Sequence, residues 1–359
     1  MKYHKLAVFF ASILLATSSL ADVLQLKDGH PDSYVVKKGD TLWDISGVFL
    51  RKPWLWPRLW KLNPQVKDPH WIYPGDVLNL VWVNGEPQLV RKKVVRLSPS
   101  IKKSVKENPV PTVKLSAIAP FLQYDHVFNQ QDDLSSLPYV LGDDQNDKGL
   151  IAERHLYVKG ALKDGVQYGI YHPGQVYKDK VTGEVLGVEG ILAGIAVVGA
   201  SHPDNVTEVV LTKNMREVMQ GDHLMAMPDS ALLDSIYYLK PAALKQNGYV
   251  VAFPGNHGSV SGQYGVFVLN KGARDGLQNG DVVKLMRPGV ELTGNSAKTV
   301  AYRQNSTAGQ KLMSSDTHRL PDAEVGEAMA FKVYDKVSMA VILRANDMVR
   351  TDYVVSNPD

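Results

Sequence analysis

The sequence predicts an α+β protein in which a small strand–helix–helix–strand domain is followed by a linker and by two related, mainly-β modules. Three observations lead to this prediction. Residues 33–82 contain helically spaced apolar residues between two short strand-like runs. Beyond residue 137, short runs of β-branched and aromatic residues are bounded by Gly, Pro, Asn or Asp. Similar segments also recur within that second part of the chain, which indicates an internal repeat.

Length and composition limit the possible functions. The chain has 359 residues, of which 44% are hydrophobic, and this is enough for two or three domains. It contains no cysteine, which excludes structural disulfides, thiolate metal sites and a cysteine nucleophile. The formal net charge is +3, but residues 84–120 alone hold eight basic and two acidic residues. This concentration indicates a solvated tether or a docking strip for anionic partners, and we expect no nucleic-acid partner.

The first 21 residues have the layout of a cleavable secretory signal. Three basic residues, Lys2, His4 and Lys5, precede an apolar run from Leu6 to Ala16, and we expect cleavage after Ala21. The run is shorter than the roughly 20 residues that a bilayer span requires. We therefore expect export to the periplasm and no transmembrane segment in the mature chain.

The first half of the 33–82 domain predicts a strand, a turn and a helix. Residues 34–37 favour the strand and residues 38–40 the turn. Thr41 is a typical helix N-cap, and Asp44, three residues later, is its capping-box partner. Apolar residues then recur at helical spacing from Leu42 to Phe49. The pattern predicts a helix that begins immediately after Thr41.

The second half predicts another helix and another strand. Residues 53–56 favour a separate turn, because a proline at position 57 is tolerated only in the first turn of a helix. The second helix should begin near Pro57 and end by Asn63, since Pro64 disfavours helical geometry in the residue before it. A loop then leads into a strand at residues 77–82.

The 33–82 domain resembles the LysM family. Three blocks carry the resemblance in the same order, namely residues 34–45, 62–64 and 72–78. In that family two strands pack against two helices, and a shallow groove binds N-acetylglucosamine units of peptidoglycan or chitin. The resemblance implies one groove wall made by Gly39, Asp40, Thr41 and Leu42. It implies a second wall made by Asn63, Pro64, Ile72, Tyr73, Pro74 and Gly75.

The residue types of these walls suit a neutral, acetylated sugar. Such a ligand needs backbone donors and acceptors for its amide and hydroxyl groups and an apolar floor for its methyl group. Gly39, Pro74 and Gly75 leave the backbone accessible, although the same residues are also typical of ordinary turns. The two interpretations are compatible with each other.

All six tryptophans of the chain lie within residues 33–82, and the stretch 51–58 is longer and richer in aromatics than is usual in the family. We expect Trp43 and Trp60 in the domain core. Two hypotheses remain for Trp54, Trp56 and Trp71: they provide platforms on which sugar rings stack, or they fill the core of a small domain without disulfides.

The rest of the chain shows the internal repeat. Three pairs of segments are similar: residues 159–165 and 271–276, residues 183–187 and 324–328, and residues 206–223 and 337–353. They predict two related β-modules, at residues 137–235 and 240–356, joined to the first domain by a basic, proline-containing linker at 84–136. The alternative is coincidence in a glycine-rich β-region. A weaker resemblance to exported proteobacterial LysM proteins, in residues 111–122, implies no mechanism for these modules.

The sequence thus predicts a non-catalytic periplasmic protein that binds peptidoglycan and is associated with the cell wall, without a cofactor or a metal site. The ten histidines are scattered and form no ligand pattern. The β-rich region would bind envelope proteins or act as a scaffold. Two alternatives stay open. The protein could be a structural component of an envelope assembly that the LysM domain only localises, or a cell-wall glycan hydrolase, because a carboxylate pair is recognised from the fold and not from the sequence.

Overall fold

The computed structural model describes residues 24–60, 72–91, 119, 121, 126–129, 131–143, 155–227, 239–256, 258–294, 300–302 and 317–358. The predicted signal at residues 1–21 and most of the predicted linker lie outside these residues. The chain is an α+β protein: a small domain that contains the strand–helix–helix–strand order is followed by a mainly-β body, as predicted. In the part that is described, no helix is both long and apolar enough to cross a bilayer.

The N-terminal domain (residues 24–91) begins with a segment that packs along the end of the first helix, where Lys27 N–H donates to the carbonyl of Phe49 at 2.8 Å. Strand β1 then runs antiparallel to β2, with Tyr34 opposite Leu78. The domain's elements are β1 (Ser33–Val35), α1 (Leu42–Phe49), a 3-10 helix (Pro53–Leu55), α2 (Trp56–Leu59), β2 (Val77–Val83) and β3 (Glu86–Arg91).

Strand β3 falls in the stretch that the sequence predicts as linker. It forms a hairpin with β2 in which Asn84 and Gly85 both have positive φ, 53° and 81°. This is the geometry that two-residue hairpin turns require, because it matches the twist of the flanking strands. Leu89 of β3 is buried in the domain core. The sheet of the N-terminal domain therefore has three strands.

The first β-module contains a closed sheet of six strands. Strand β8 is long, bends around the sheet and pairs with β7 on one side and β9 on the other, which closes the ring in the order β8-β7-β10-β5-β6-β9. A short strand, β4, lies outside the ring on β8. The elements are β4 (His126–Phe128), α3 (Gln131–Ser136), β5 (Tyr139–Gly142), β6 (His155–Lys159), β7 (Gln167–Lys178), β8 (Val185–His202), β9 (Val206–Asn214) and β10 (His223–Ala226).

The second β-module also closes six strands into a ring, in the order β15-β19-β20-β14-β12-β22, with β15 pairing to β22. Its main strands are β12 (Gly248–Ala252), β14 (Val266–Leu269), β15 (Asp281–Arg287), β19 (Ala323–Val333), β20 (Ser338–Ala345) and β22 (Val354–Ser356). Its shorter elements are β11 (Lys240–Pro241), β13 (Val260–Ser261), β16 (Glu291–Thr293), β17 (Ala301–Tyr302), β18 (Thr317–Arg319), β21 (Val349–Arg350) and the 3-10 helices Pro254–Asn256 and Ala273–Asp275.

The two rings of strands have the same topology. Numbered along the chain, the six main strands of each module pair in the order first, second, fifth, fourth, third, sixth. The similar sequence segments occupy equivalent places: residues 159–165 and 271–276 both connect the second strand to the third. Residues 183–187 and 324–328 both lie at the start of the fourth strand.

The β7–β8 hairpin of the first module reaches the second module. At its tip, the Glu184 carboxylate accepts two hydrogen bonds from Arg274, at 2.8 and 2.9 Å, and pairs with Lys336 at 2.9 Å. These hydrogen bonds, from Arg274 first and then Lys336, lower the pKa of Glu184 to about 2. Lys180 N–H also donates to the Tyr249 hydroxyl at 2.6 Å. The two modules are thereby joined by polar contacts at the hairpin tip.

The N-terminal domain packs against the outside of the second module. Strand β19 is apolar on both faces: Ala328 and Ala330 belong to the module's own core, whereas Met329 and Phe331 belong to a cluster that continues into the N-terminal domain. That cluster contains Phe49, Trp54 and Leu89 together with Met339 and Val341 of β20. The small domain therefore shares a hydrophobic core with the second module and is not held only by a tether.

Candidate functional site

The first predicted wall is built on a tight turn between β1 and α1. Gly39 has φ +93°, a left-handed value that glycine adopts without steric cost. The Asp40 carboxylate closes the turn, because it accepts hydrogen bonds from Lys37 N–H at 2.8 Å and from the Tyr34 hydroxyl at 2.9 Å. Burial, followed by this hydrogen bond, raises the pKa of Tyr34 to about 12. The phenol therefore remains a donor to Asp40 at neutral pH.

The start of α1 has the capping box that the sequence predicts. The Thr41 hydroxyl accepts from Asp44 N–H at 3.1 Å, while the Asp44 carboxylate accepts from Thr41 N–H at 3.2 Å. Capping satisfies backbone donors that a helix end would otherwise leave unpaired. The side chains of Thr41 and Leu42 are both buried. Any contact of these two residues with a ligand would therefore come from their backbone.

The second wall repeats the construction of the first. The Asp76 carboxylate accepts from Tyr73 N–H at 3.0 Å, and Gly75 between them has φ +92°. Arg91, on the unpredicted strand β3, pairs with Asp76 at 3.4 Å. Tyr73 and Pro74 are partly exposed and Gly75 is exposed, whereas Ile72 is fully buried in the domain core.

Backbone hydrogen bonds hold the two turns side by side. Val36 N–H donates to the Asp76 carbonyl at 2.9 Å, and Gly75 N–H donates to the Val36 carbonyl at 2.8 Å. A Cβ atom placed on Gly39 or on Gly75 would meet no heavy atom within 4 Å. Both turns thus present open backbone at the same end of the β1–β2 pair.

The structure brings together only part of the predicted site. Gly39, Asp40, Tyr73, Pro74 and Gly75 lie at this end of the sheet. Of the other predicted wall residues, Thr41, Leu42 and Ile72 have buried side chains. Asn63 and Pro64 lie outside the described residues, as does Trp71.

Trp54 and Trp56 lie in the core of the N-terminal domain, with exposed fractions of 5% and 6%. The Trp54 indole stacks on that of Trp43, with ring centres 6.5 Å apart and an interplanar angle of 29°. Trp60 is buried as well. This placement favours the core hypothesis for Trp54 and Trp56, because a buried indole offers little surface to a sugar. Trp82, in contrast, is 63% exposed.

The described residues contain no group of three or more histidine and acidic side chains arranged to hold a metal ion. The chemical groups at the two turns are backbone amides, backbone carbonyls and the Asp40 and Asp76 carboxylates, which the turns themselves use. Such an arrangement is suited to hydrogen bonding with a polar, uncharged ligand.

Comparison with known proteins agrees with the geometry. Residues 34–81 match the LysM domain family. The chain is also 40% identical over 60 residues to the uncharacterized protein YqbP of Bacillus subtilis (strain 168). That similarity covers 14% of this chain and 27% of the relative, so the chain matches about a quarter of the relative's length.

Proposed function

Because residues 34–81 form a LysM domain, we propose that this protein binds the N-acetylglucosamine-containing glycan of peptidoglycan through the groove between the Gly39 and Gly75 turns. LysM domains are binding modules for such glycans and are not catalytic. They occur in extracellular and cell-wall-associated proteins. The binding would anchor an exported, β-rich protein to the cell wall in the periplasm.

The observation that carries this proposal is the open backbone at the two turns. An N-acetyl sugar is neutral and presents an amide, hydroxyl groups and a methyl group, so that it is recognised by backbone donors and acceptors beside a small apolar surface. Gly39 and Gly75 have no side chains to cover the neighbouring peptide groups. A shallow site of this kind buries little ligand surface, and we expect weak binding per domain.

The proposal includes no catalytic role for the protein. We propose that the two β-modules act as a scaffold or as a binding surface for envelope proteins, and that the wall-binding domain positions them. Because the N-terminal domain and the second module share a hydrophobic cluster, the scaffold would be presented in a fixed orientation relative to the glycan.

The proposed function is tested by co-sedimentation of the full chain with purified peptidoglycan sacculi. Asp40→Ala removes the acceptor that closes the first turn, and Tyr73→Ala removes an exposed part of the second wall. We expect each to weaken retention by about tenfold, or about 1.4 kcal/mol. Asp32→Ala and Tyr302→Ala, at exposed positions outside the groove, are the matched controls and should behave as the parent chain.

Point variants are preferable to deletion of the N-terminal domain. Deletion would remove the N-terminal part of the shared hydrophobic cluster from the second module, and an uncovered apolar face is expected to adhere non-specifically. Retention that is equal in all four variants would contradict the assignment of the groove. Clearing of peptidoglycan in a zymogram by the purified chain would contradict the non-catalytic part of the proposal.

A further inference from the structure

The contact between the two β-modules uses the first main strand of the second module, β12. Tyr249 of β12 accepts a hydrogen bond from Lys180 N–H at 2.6 Å, and the Lys180 ammonium lies 4.4 Å from the centre of its ring. The same ammonium pairs with Asp352, just before the sixth strand, at 2.7 Å. The hairpin between the third and fourth strands of one module thus packs on the first strand of the next module and on the turn before its sixth strand.

The first module contains the same surface. In each module, one valine of the first strand, Val140 or Val250, donates its N–H to a carbonyl before the sixth strand and accepts a hydrogen bond from the preceding N–H. All four hydrogen bonds are 2.8 or 2.9 Å long. The partners are Asp222 and Gly221 in the first module, and Tyr353 and Asp352 in the second.

This surface is exposed in the first module. Tyr139 corresponds to Tyr249, because each tyrosine directly precedes the equivalent valine. Tyr139 is 39% exposed, whereas Tyr249 is partly buried beneath the hairpin. Leu141 of the same strand and Met219 of the turn before β10 are also exposed. We call Tyr139, Leu141 and Met219 the docking surface.

The second module carries a counterpart of the β7–β8 hairpin. Its third and fourth strands, β15 and β19, are connected by residues 288–322, of which 288–294, 300–302 and 317–322 are described. Leu320 N–H donates to the Val290 carbonyl at 3.0 Å, so these two residues are neighbours in the connection. Both side chains are exposed. The connection therefore presents apolar side chains to solvent.

We propose that copies of this chain associate head to tail, with the 288–322 connection of one copy packed on the docking surface of the next. The contact between the two modules of a single chain is the template for this interface. Apolar side chains are exposed on both surfaces, and association would bury them. Because two different surfaces meet, each added copy offers a new docking surface, and the contact can repeat. The association itself does not depend on glycan binding.

The test is sedimentation velocity of the full chain without glycan, at concentrations from about 1 to 500 µM, which cover weak association. The average mass of the parent chain should rise with concentration. Tyr139→Glu places a charge in the docking surface and Leu320→Glu places one in the connection, so each variant alone should remain monomeric. Met348→Glu, at an exposed position of the second module outside both surfaces, is the matched control and should associate as the parent chain does.

An equimolar mixture of Tyr139→Glu and Leu320→Glu is the decisive sample. The first variant keeps an intact connection and the second an intact docking surface, so the mixture should form dimers that grow no further. Both positions are exposed, and both variants should melt as the parent chain does. If Tyr139→Glu melts at a lower temperature, Met219→Glu replaces it as the variant of the docking surface.

Three results would overturn the proposal. A parent chain that stays monomeric over the whole range would exclude the association. Unchanged association of both single variants would place the interface elsewhere on the molecule. Folded variants that remain monomeric when mixed would contradict the pairing of these two surfaces. None of these results would affect the proposed glycan binding, which the sacculus assay tests separately.

Discussion

A single type of turn recurs at four places in the described part of the chain. Each has a glycine with φ between +87° and +93°, followed by an aspartate whose carboxylate accepts the N–H three residues earlier. Residues 37–40 and 73–76 lie in the two walls of the proposed groove, whereas residues 219–222 and 278–281 lead into β10 and β15 of the modules. The turn is therefore a structural device. The turns at residues 37–40 and 73–76 differ from the other two because they lie side by side at an open end of a sheet.

Gly39→Ala tests the first of these turns. A β-carbon at φ +93° is strained although the surrounding space is open, so we expect a loss of about 1 kcal/mol in the free energy of unfolding. Gly47→Ala is the matched control. Gly47 lies within α1, and a β-carbon there would make only an ordinary 3.8 Å contact with Pro53, so helix propensity predicts unchanged or higher stability. Equal effects in chemical denaturation would contradict the role assigned to the Gly39 turn.

Individual residues were predictable where a local pattern determines them. Thr41 and Asp44 form the predicted capping box because both partners lie within four residues of each other. The packing of Phe49 in one cluster with Met339 could not be predicted, because no local pattern specifies how two domains pack.

The sequence predicted some helices and strands of the N-terminal domain correctly and missed others. Helix α1 and strands β1 and β2 lie where the sequence predicts them. Strand β3 was missed, although Asn84-Gly85 between apolar runs is a strong hairpin signal. The basic residues that follow favoured a linker instead. The predicted turn at 53–56 is a 3-10 helix, and α2 begins at Trp56, one residue before Pro57.

Strand β4 lies between the two modules and carries a titratable side chain, His126. His126 packs against Phe128, Tyr171 and Tyr334, with ring centres 4.9, 6.1 and 5.5 Å away. Burial, followed by the charge of Lys332, lowers the pKa of His126 from 6.5 to about 4. The unfolded chain therefore binds this proton more readily than the folded chain does.

This pKa predicts a loss of stability in acid. Well above pH 6.5 the imidazole is neutral in both states and makes no pH-dependent contribution. As pH falls from 6.5 to 4, the unfolded state gains the proton first, and the free energy of unfolding should decrease by about 3 kcal/mol. His126→Phe should remove this part of the pH dependence in urea denaturation. His318→Gln, at an exposed position, should leave it unchanged, and an unaltered profile in His126→Phe would contradict the assignment.

At the scale of the whole molecule, the β-modules were predictable as repeats but not as closed rings. The similar segments fall at equivalent strands because they mark turns and strand starts. Ring closure depends on pairings such as β15 with β22, between strands about 70 residues apart. The sequence also did not predict the shared cluster of the N-terminal domain and the second module. A strand whose outer face packs against another domain has the same apolar sequence as a strand that is buried within its own domain.

That shared cluster predicts cooperative unfolding. All six tryptophans lie in the N-terminal domain, so tryptophan fluorescence reports on this domain alone, while far-ultraviolet circular dichroism reports mainly on the β-modules. We expect the two thermal transitions to coincide, because unfolding either partner exposes the apolar surface of the other. A fluorescence transition well below the dichroism transition would show that the domains unfold independently.

The proposed glycan recognition by the groove is tested at single-residue resolution by backbone amide NMR during titration of the full chain with a soluble tetramer of N-acetylglucosamine. We predict saturable shifts at Gly39 to Leu42 and at Tyr73 and Gly75, with smaller changes elsewhere in the N-terminal domain. An unchanged spectrum, or shifts confined to the first β-module, would contradict the assignment of the LysM groove as the binding site.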